Sequence, residues 1–323
     1  VGGTGIKAAL FDADSLLAPE AACPGTVADH VHRAPAVRER LTRPTPPGDD
    51  PDAVLAAVVE VIETLRHHAA GTRVTALGVV VPGIIDEPRG LAVAAANVGW
   101  SKTPVRDLLA AETGLPVALG HDVRAACLAE WRLGAARGAS RVLFVTLGTG
   151  IGAGVVSEDR LLVGGGYAGQ LGHVVVDPDG APCGCGQRGC LATVASARAV
   201  VRRYTEAVAR HGAPAPSADL SARDVAALAR GGDPLATSVW CDAVAALASG
   251  LVTAVTVYGS ELVVLGGGLA LAGDQLLVPV REAVIAGLTF LRQPRVVSAA
   301  FADGSGVLGA ALLARDLMCT ADG

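Results

Sequence analysis

The chain has 323 residues, 51% of them hydrophobic, and a formal charge of −5 from 26 basic and 31 acidic side chains. That length suffices for two α/β domains with sizeable cores, and the acidic balance, with a pI near 5.8, excludes a general nucleic-acid-binding surface. No apolar run reads as long enough to span a bilayer and no signal peptide opens the chain, so no membrane partner is expected.

The first residue is Val1 and the one methionine is Met318. The chain thus opens without an initiator, inside what reads as a motif, and a segment upstream is expected. Val1 to Asp12 reads as a strand, a glycine turn and a second strand. Gly2, Gly3 and Thr4, with Lys7 beyond them, would let backbone N–H groups and a hydroxyl approach a phosphate closely. An ordinary hairpin is the plainer reading. Residues 34–52 are rich in proline and charge and read as a loop. From Asp52 a helix is predicted, because Val54, Ala57, Val58, Val61, Ile62 and Leu65 fall on one face.

Val74 to Val81 is an apolar run of strand length ending at Pro82-Gly83, where a glycine lets a ligand near the backbone. Asn97 lies in the loop from Ala95 to Trp100, where asparagine is most often a turn former; Trp100 reads as core. Leu115 to Leu119 reads as a strand with Gly120-His121-Asp122 at its end, and Val123 to Leu133 as a helix with Asp122 at its cap. Aspartate is a favoured N-cap. A carboxylate is also the group that accepts a proton from an alcohol attacking a γ-phosphate. Val142 to Val156 is a second glycine-rich hairpin, with Thr146, Gly148, Thr149, Gly150 and Gly152 around its turn. No Gly-Lys-Ser/Thr ends it, so it is not a Walker loop.

The stretch from Gly169 to Cys190 carries the most specific chemistry. His173, Cys183, Cys185 and Cys190 are one imidazole and three thiols, the preferred ligands of tetrahedral zinc. Gly184, Gly186 and Gly189 let the backbone bend so that the thiols face one point, and Val174–Val176 reads as a short strand that brings His173 there. Disulfides are the alternative, but Cys183 and Cys185 are too close to bridge easily. A closed four-ligand site is structural rather than catalytic. The remaining cysteines, Cys23, Cys127, Cys241 and Cys319, are scattered and read as buried or surface thiols, which fits a reducing cytoplasm.

After Cys190 a helix is expected to about Arg210, a short helix within 217–233 and a long buried helix over 234–258. Glu261 to Gly268 reads as a strand running into Gly266, Gly267 and Gly268. Val296 to Phe301 reads as the last strand, and a small-residue helix from Gly306 as packing across a domain junction.

The run Gly172-His173, Cys183-x-Cys185-Gly186-x-x-Gly189-Cys190 resembles the signature of the ROK family, sugar kinases and sugar-responsive repressors. The rest of the chain agrees in order, nearly end to end. The resemblance implies an α/β fold of two actin-like (ribonuclease H-like) domains around a central cleft, with a zinc-bound loop. The first domain is expected over 1–119 plus a C-terminal helix at about 306–323, the second over 120–305. It implies an ATP-dependent kinase acting on the primary 6-hydroxyl of a hexose or modified hexose, with Mg2+ bridging the phosphates and Asp122 as catalytic base. The sugar would meet Gly83, Asn97, His121, Asp122, Gln170 and His173. The nucleotide would meet Gly2, Gly3, Thr4, Lys7, Thr146, Gly148, Thr149, Gly150 and Gly266–Gly268.

Three sugar-site positions depart from the family pattern. His121 stands for Asn, Gln170 for Glu and Ala192 for Glu, so two anionic acceptors are replaced. An amino sugar such as kanosamine, an N-acetylhexosamine or a cyclitol then stands beside glucose as the acceptor. Gly5-Ile6-Lys7 is similar to the version in polyphosphate glucokinases. A sugar-sensing repressor or a non-catalytic sugar binder is the alternative. Repressors of the family carry a helix-turn-helix before the first Gly-Gly-Thr, and none precedes it here. A homodimer is common in the family.

Overall fold

The computed structural model of the chain describes residues 1–2, 5–16, 35–47, 50–69 and 71–321. Gly3, Thr4 and Cys23, which the sequence singles out, lie outside the described residues. In chain order the strands and helices are β1 (Gly5–Phe11), β2 (Val37–Pro44), α1 (Pro51–His68), β3 (Leu77–Val81), β4 (Ile84–Asp86), β5 (Leu91–Ala95), β6 (Trp100–Thr103), α2 (Val105–Thr113), β7 (Val117–His121) and α3 (Asp122–Arg132). They continue with β8 (Val142–Leu147), β9 (Ile151–Ser157), β10 (Arg160–Leu161), α4 (Ala192–Ala195), α5 (Ala197–Arg210), α6 (Ala222–Arg230), α7 (Pro234–Tyr258), β11 (Leu262–Gly266), α8 (Asp274–Gly287), β12 (Arg295–Ser298) and α9 (Ser305–Ala321).

These elements form two compact units. Unit 1 is Val1–Arg137, Val163–Ala168 and Gly304–Gly323; unit 2 is Gly138–Leu162 and Gly169–Asp303. The division at 119/120 drawn from the sequence falls inside β7, which runs directly into α3, and both elements lie in unit 1.

In unit 1, β1 pairs antiparallel with β2, β3 pairs parallel with β7, and β4, β5 and β6 form an antiparallel sheet. The loop expected over 34–52 is corrected: it contains β2, whose alternating exposure places Arg38, Arg40 and Thr42 on the outer face. Its charged residues hide the strand period; Arg38 pairs with Asp12 and Arg43 with Glu60. Helix α1 starts where Asp50 accepts from Ala53 N at 2.9 Å, and it buries Val54, Val58, Val61, Ile62 and Leu65 as the sequence period requires. Trp100 is core, 2% exposed, with its indole N–H donated to Pro51 O. The last helix, α9, lies in unit 1 on α3, β3 and β7. A Cβ at Gly309 would stand 2.0 Å from Ala125 O, so α9 can approach α3 this closely only with glycine there.

In unit 2 the sheet order is β10-β9-β8-β11-β12, with β8, β11 and β12 parallel and β9 antiparallel to β8. The expected hairpin is β8–β9. Helix α7 runs from Asp233, which caps it, to Gly259, and buries Trp240, Leu247 and Leu251 among others. By length and composition α7 could cross a membrane, which corrects the expectation of no such run, but 56% of that apolar window is buried within the protein. It is a core helix. The long helix expected after Cys190 is two, divided at Ser196, whose hydroxyl caps α5. Helix α8, which holds Pro279 and buries Leu276, Val280 and Val284, has no counterpart in the sequence reading.

Candidate active site and metal cluster

In unit 1 the catalytic candidate sits at the β7–α3 turn. Asp122 is the first residue of α3, and His121, not Asp122, is the N-cap. This corrects the expected cap: the His121 ring accepts the Arg124 N–H through Nδ1 at 3.3 Å, which releases the carboxylate from that duty. Asp122 Oδ1 takes the Val123 N–H at 2.8 Å. Its side chain is 36% exposed, so it can meet a ligand. His121 is buried at 6%. Burial pushes its pKa down from 6.5; Asp122 and Glu87 oppose this and Arg124 adds to it.

Below the turn lies an ion pair that sequence reasoning missed. Arg124 is 1% exposed. It donates to Glu87 Oε1 from Nε at 3.0 Å and from Nη2 at 2.8 Å, and to Gly166 O from Nη1 at 3.2 Å. Glu87 Oε1 also takes the His121 backbone N–H at 3.2 Å. A buried guanidinium needs this many acceptors to offset its lost hydration. The signal in the sequence is an arginine directly before the small, buried run Ala125-Ala126-Cys127 of α3. Gly83 follows β3 with φ of +110°, and a Cβ there would fall 2.1 Å from Ala94 O. Asn97 is exposed on a short 3-10 turn, Ala96–Val98. Lys7 projects from the exposed side of β1, and Gly2 N donates to Gly5 O.

In unit 2, His173, Cys183, Cys185 and Cys190 converge. Their ligand atoms all lie within 4.8 Å of one another, so one metal ion could touch all four. His173 Nδ1 stands 3.6 Å from Cys183 Sγ, and Cys185 Sγ 3.6 Å from Cys190 Sγ. Cys190 is fully buried; burial and the neighbouring thiols push its pKa up to about 12. Cys185 goes the other way, chiefly through a backbone N–H bond at Gln187.

The loop is laced by backbone bonds: Val176 N to Gly189 O, Gly189 N to Ala181 O, Cys183 N to Gln187 O and Leu191 N to Val174 O, all between 2.8 and 2.9 Å. The expected strand at Val174–Val176 is corrected to a single bridge, Val175 with Cys190. Gly189 has φ of +65°, and a Cβ there would meet Asp177 O at 1.4 Å. Gly184 has neither constraint, so the bend does not depend on it. His173 ends a 3-10 turn that follows Gln170, which is exposed. The residue before that, Gly169, accepts from Ala153 N on β9 at 2.7 Å, tying the cluster to the glycine hairpin.

The same unit brings the phosphate candidates together. Thr146 is in register with Gly266, at the carboxyl ends of parallel strands β8 and β11, the end where α/β sheets bind ligands. Gly267, with φ of +86°, backs onto Leu147, and Gly268 faces open space. The exposed Thr149 and Gly150 form the hairpin tip, and Gly148 O accepts from Ala197 N at the start of α5.

The chain matches the ROK family over residues 1–317. A glucokinase of Thermotoga maritima is 34% identical over 293 residues, 87% of this chain and 90% of that protein. An N-acetylmannosamine kinase of Citrobacter koseri is 34% identical over 281 residues, 86% of this chain and 91% of that protein. The crystal structure of a ROK family glucokinase from Streptomyces griseus in complex with glucose and AMPPNP is 28% identical, with a TM-score of 0.80 over 98% of this chain and 97% of that one. The fold is the α/β, actin-like fold of ROK sugar kinases, and the chain belongs to the ROK family.

Proposed function

We propose that this protein is a sugar kinase that moves the γ-phosphoryl group of ATP to the primary hydroxyl of a hexose or an amino-modified hexose. The observation that carries the reading is Asp122, a half-exposed carboxylate fixed at a helix start in a chain similar to glucokinases and N-acetylmannosamine kinases. Asp122 takes the hydroxyl proton as the oxygen bonds to the γ-phosphorus. The bond to the bridging oxygen breaks, and its electron pair leaves on ADP. Gly83 and Asn97, in the same unit as Asp122, keep the sugar contacts that the resemblance implies. Gln170 and His173 keep the sugar-binding role that the resemblance implies. Glutamine at 170 and alanine at 192 make the pocket less anionic than the family pattern, which favours an amino-modified acceptor as much as glucose.

On the nucleotide side, Thr149 and Gly150 at the hairpin tip would offer backbone N–H groups to phosphate, Gly148 N being held by Gly150 O, and Gly266–Gly268 would lie against adenosine. Gly2, Gly3, Thr4 and Lys7 keep the phosphate-binding role that the resemblance implies. Mg2+ supplies charge neutralisation on the phosphates when bound.

The four-ligand cluster fits zinc. A tetrahedral ion with Zn–S bonds of about 2.3 Å holds sulfurs about 3.8 Å apart, close to the 3.6 Å between Cys185 and Cys190. Three protein thiols and one imidazole leave no coordination position for water, so zinc would fix the loop and take no part in phosphoryl transfer.

The test is ATP consumption against glucose, amino sugars, N-acetylhexosamines and cyclitols, with Asp122→Asn as control. Turnover of one acceptor, falling by about 100-fold or more in the variant, is the expected result. Sugar binding without turnover on any acceptor would sink the kinase reading.

A further inference from the structure

The β7–α3 turn holds more chemistry than a helix start requires. His121 accepts the Arg124 N–H through Nδ1 at 3.3 Å. A ring nitrogen that accepts carries no proton, so the neutral ring bears its hydrogen on Nε2. Nε2 stands 3.6 Å from Asp122 Oδ1. That is longer than a hydrogen bond, yet near enough for the N–H dipole to favour the carboxylate on that side. Val123 N donates to the same oxygen at 2.8 Å. One hydrogen bond and one N–H dipole therefore favour Oδ1, and among the described residues no hydrogen bond is made to Oδ2.

The ring has little freedom to do otherwise. It is 6% exposed. Its backbone N–H is held by Glu87 Oε1, which also receives both Nε and Nη2 of the buried Arg124. Arg124 reaches on to Gly166 O. The charged groups that face the ring are Asp122, Arg124 and Glu87. Fixed in this way, the imidazole spends one nitrogen on the helix cap and keeps the other on the side of the aspartate.

We propose that His121 is a positioning residue for Asp122: its ring caps α3 through Nδ1 and turns its Nε2 proton toward Oδ1, which leaves Oδ2 as the oxygen that takes the acceptor's proton. This rests on the reading of Asp122 as the base of a sugar kinase. It gives His121 a task different from the sugar contact that the family pattern places at this position.

His121→Ser keeps a capping oxygen and deletes the ring donor. The expected result is a folded enzyme whose kcat falls about 10- to 100-fold, as a misaligned base predicts, while the sugar KM stays within about twofold. A rise in KM at unchanged kcat would make His121 a sugar ligand and overturn the proposal; so would unchanged kinetics. Nitrogen-15 spectra of histidine-labelled wild-type protein give a second readout, independent of any variant's folding. At neutral pH His121 should show an unprotonated Nδ1 and a protonated Nε2, with Nε2 shifting in Asp122→Asn. The opposite tautomer or a charged ring overturns the proposal. The two failures are distinguishable: a wild-type enzyme inactive on every acceptor overturns the kinase reading and the Oδ2 assignment together, whereas an error about His121 alone leaves the wild type active.

Discussion

In unit 1 the turn that carries Asp122 rests on a buried guanidinium and a carboxylate, whereas in unit 2 the loop that follows His173 closes on three thiols and an imidazole. Arg124 lies on α3 and Glu87 directly after β4, and both elements bury side chains in unit 1. The loop from Val174 to Cys190 has a single bridge at each of two places and little apolar packing of its own. A segment with so few buried side chains needs a cross-link, and three thiols with an imidazole supply the place for one. The two devices respond to different agents, so each can be disturbed while the other is watched.

The largest effect is expected from the cluster. A strong zinc chelator, or Cys190→Ser, should lower the melting midpoint by about 10 °C and open the 174–190 loop to protease. Calorimetry with and without chelator checks this; an unchanged midpoint would mean that the thiols hold no ion.

Next comes the ion pair. Arg124→Ala leaves Glu87 without its partner and should cost about 3–5 kcal/mol in urea unfolding, with no change in chelator sensitivity. Arg124→Met should cost clearly less, because its side chain fills the buried space that alanine leaves empty while Glu87 is equally unpaired in both variants.

Gly309→Ala should cost about 1–3 kcal/mol by forcing α9 off α3. This third variant lies in unit 1 but away from the ion pair, so it shows whether packing or charge holds that unit.

The smallest effect is the dependence on pH. His121 has its pKa depressed below 6.5 in the folded chain. Between the folded and unfolded values the unfolded chain binds the extra proton, so stability is full above about 6.5 and is lost as pH falls below it. His121→Asn should flatten that slope between pH 7.5 and 5.5, measured by urea midpoints, whereas Cys190→Ser should leave it in place.

Much of this was legible in the sequence because spacing carries it. The α1 period, the β8–β9 hairpin, the long α7 and the four-residue cluster that could hold a metal all follow from residue type at fixed intervals. Strand β2 was hidden because its outward residues are arginine and threonine and its flanks carry proline. Helix α8 was hidden by Pro279 within it and by the glycines before it. The cap was misread because aspartate is the commoner choice, and only the ring's position against Arg124 N reveals histidine in that role. The pair of Arg124 with Glu87 joins residues 37 apart in sequence, across a sheet and two strand pairings; no local pattern announces such a contact.

Helix α9 has a consequence for synthesis. It completes the first unit by packing on α3, through Gly309 against Ala125, Ser305 against Glu130 and Asp316 against Arg132. All of unit 2's residues are translated between α3 and α9. At elongation rates of about 5–20 residues per second that interval is on the order of ten seconds. Throughout it the nascent α3 has left the ribosome with its small-residue face uncovered. Unit 2 is the part that can finish first, and the first 137 residues wait for α9, the stage at which a chaperone would find them.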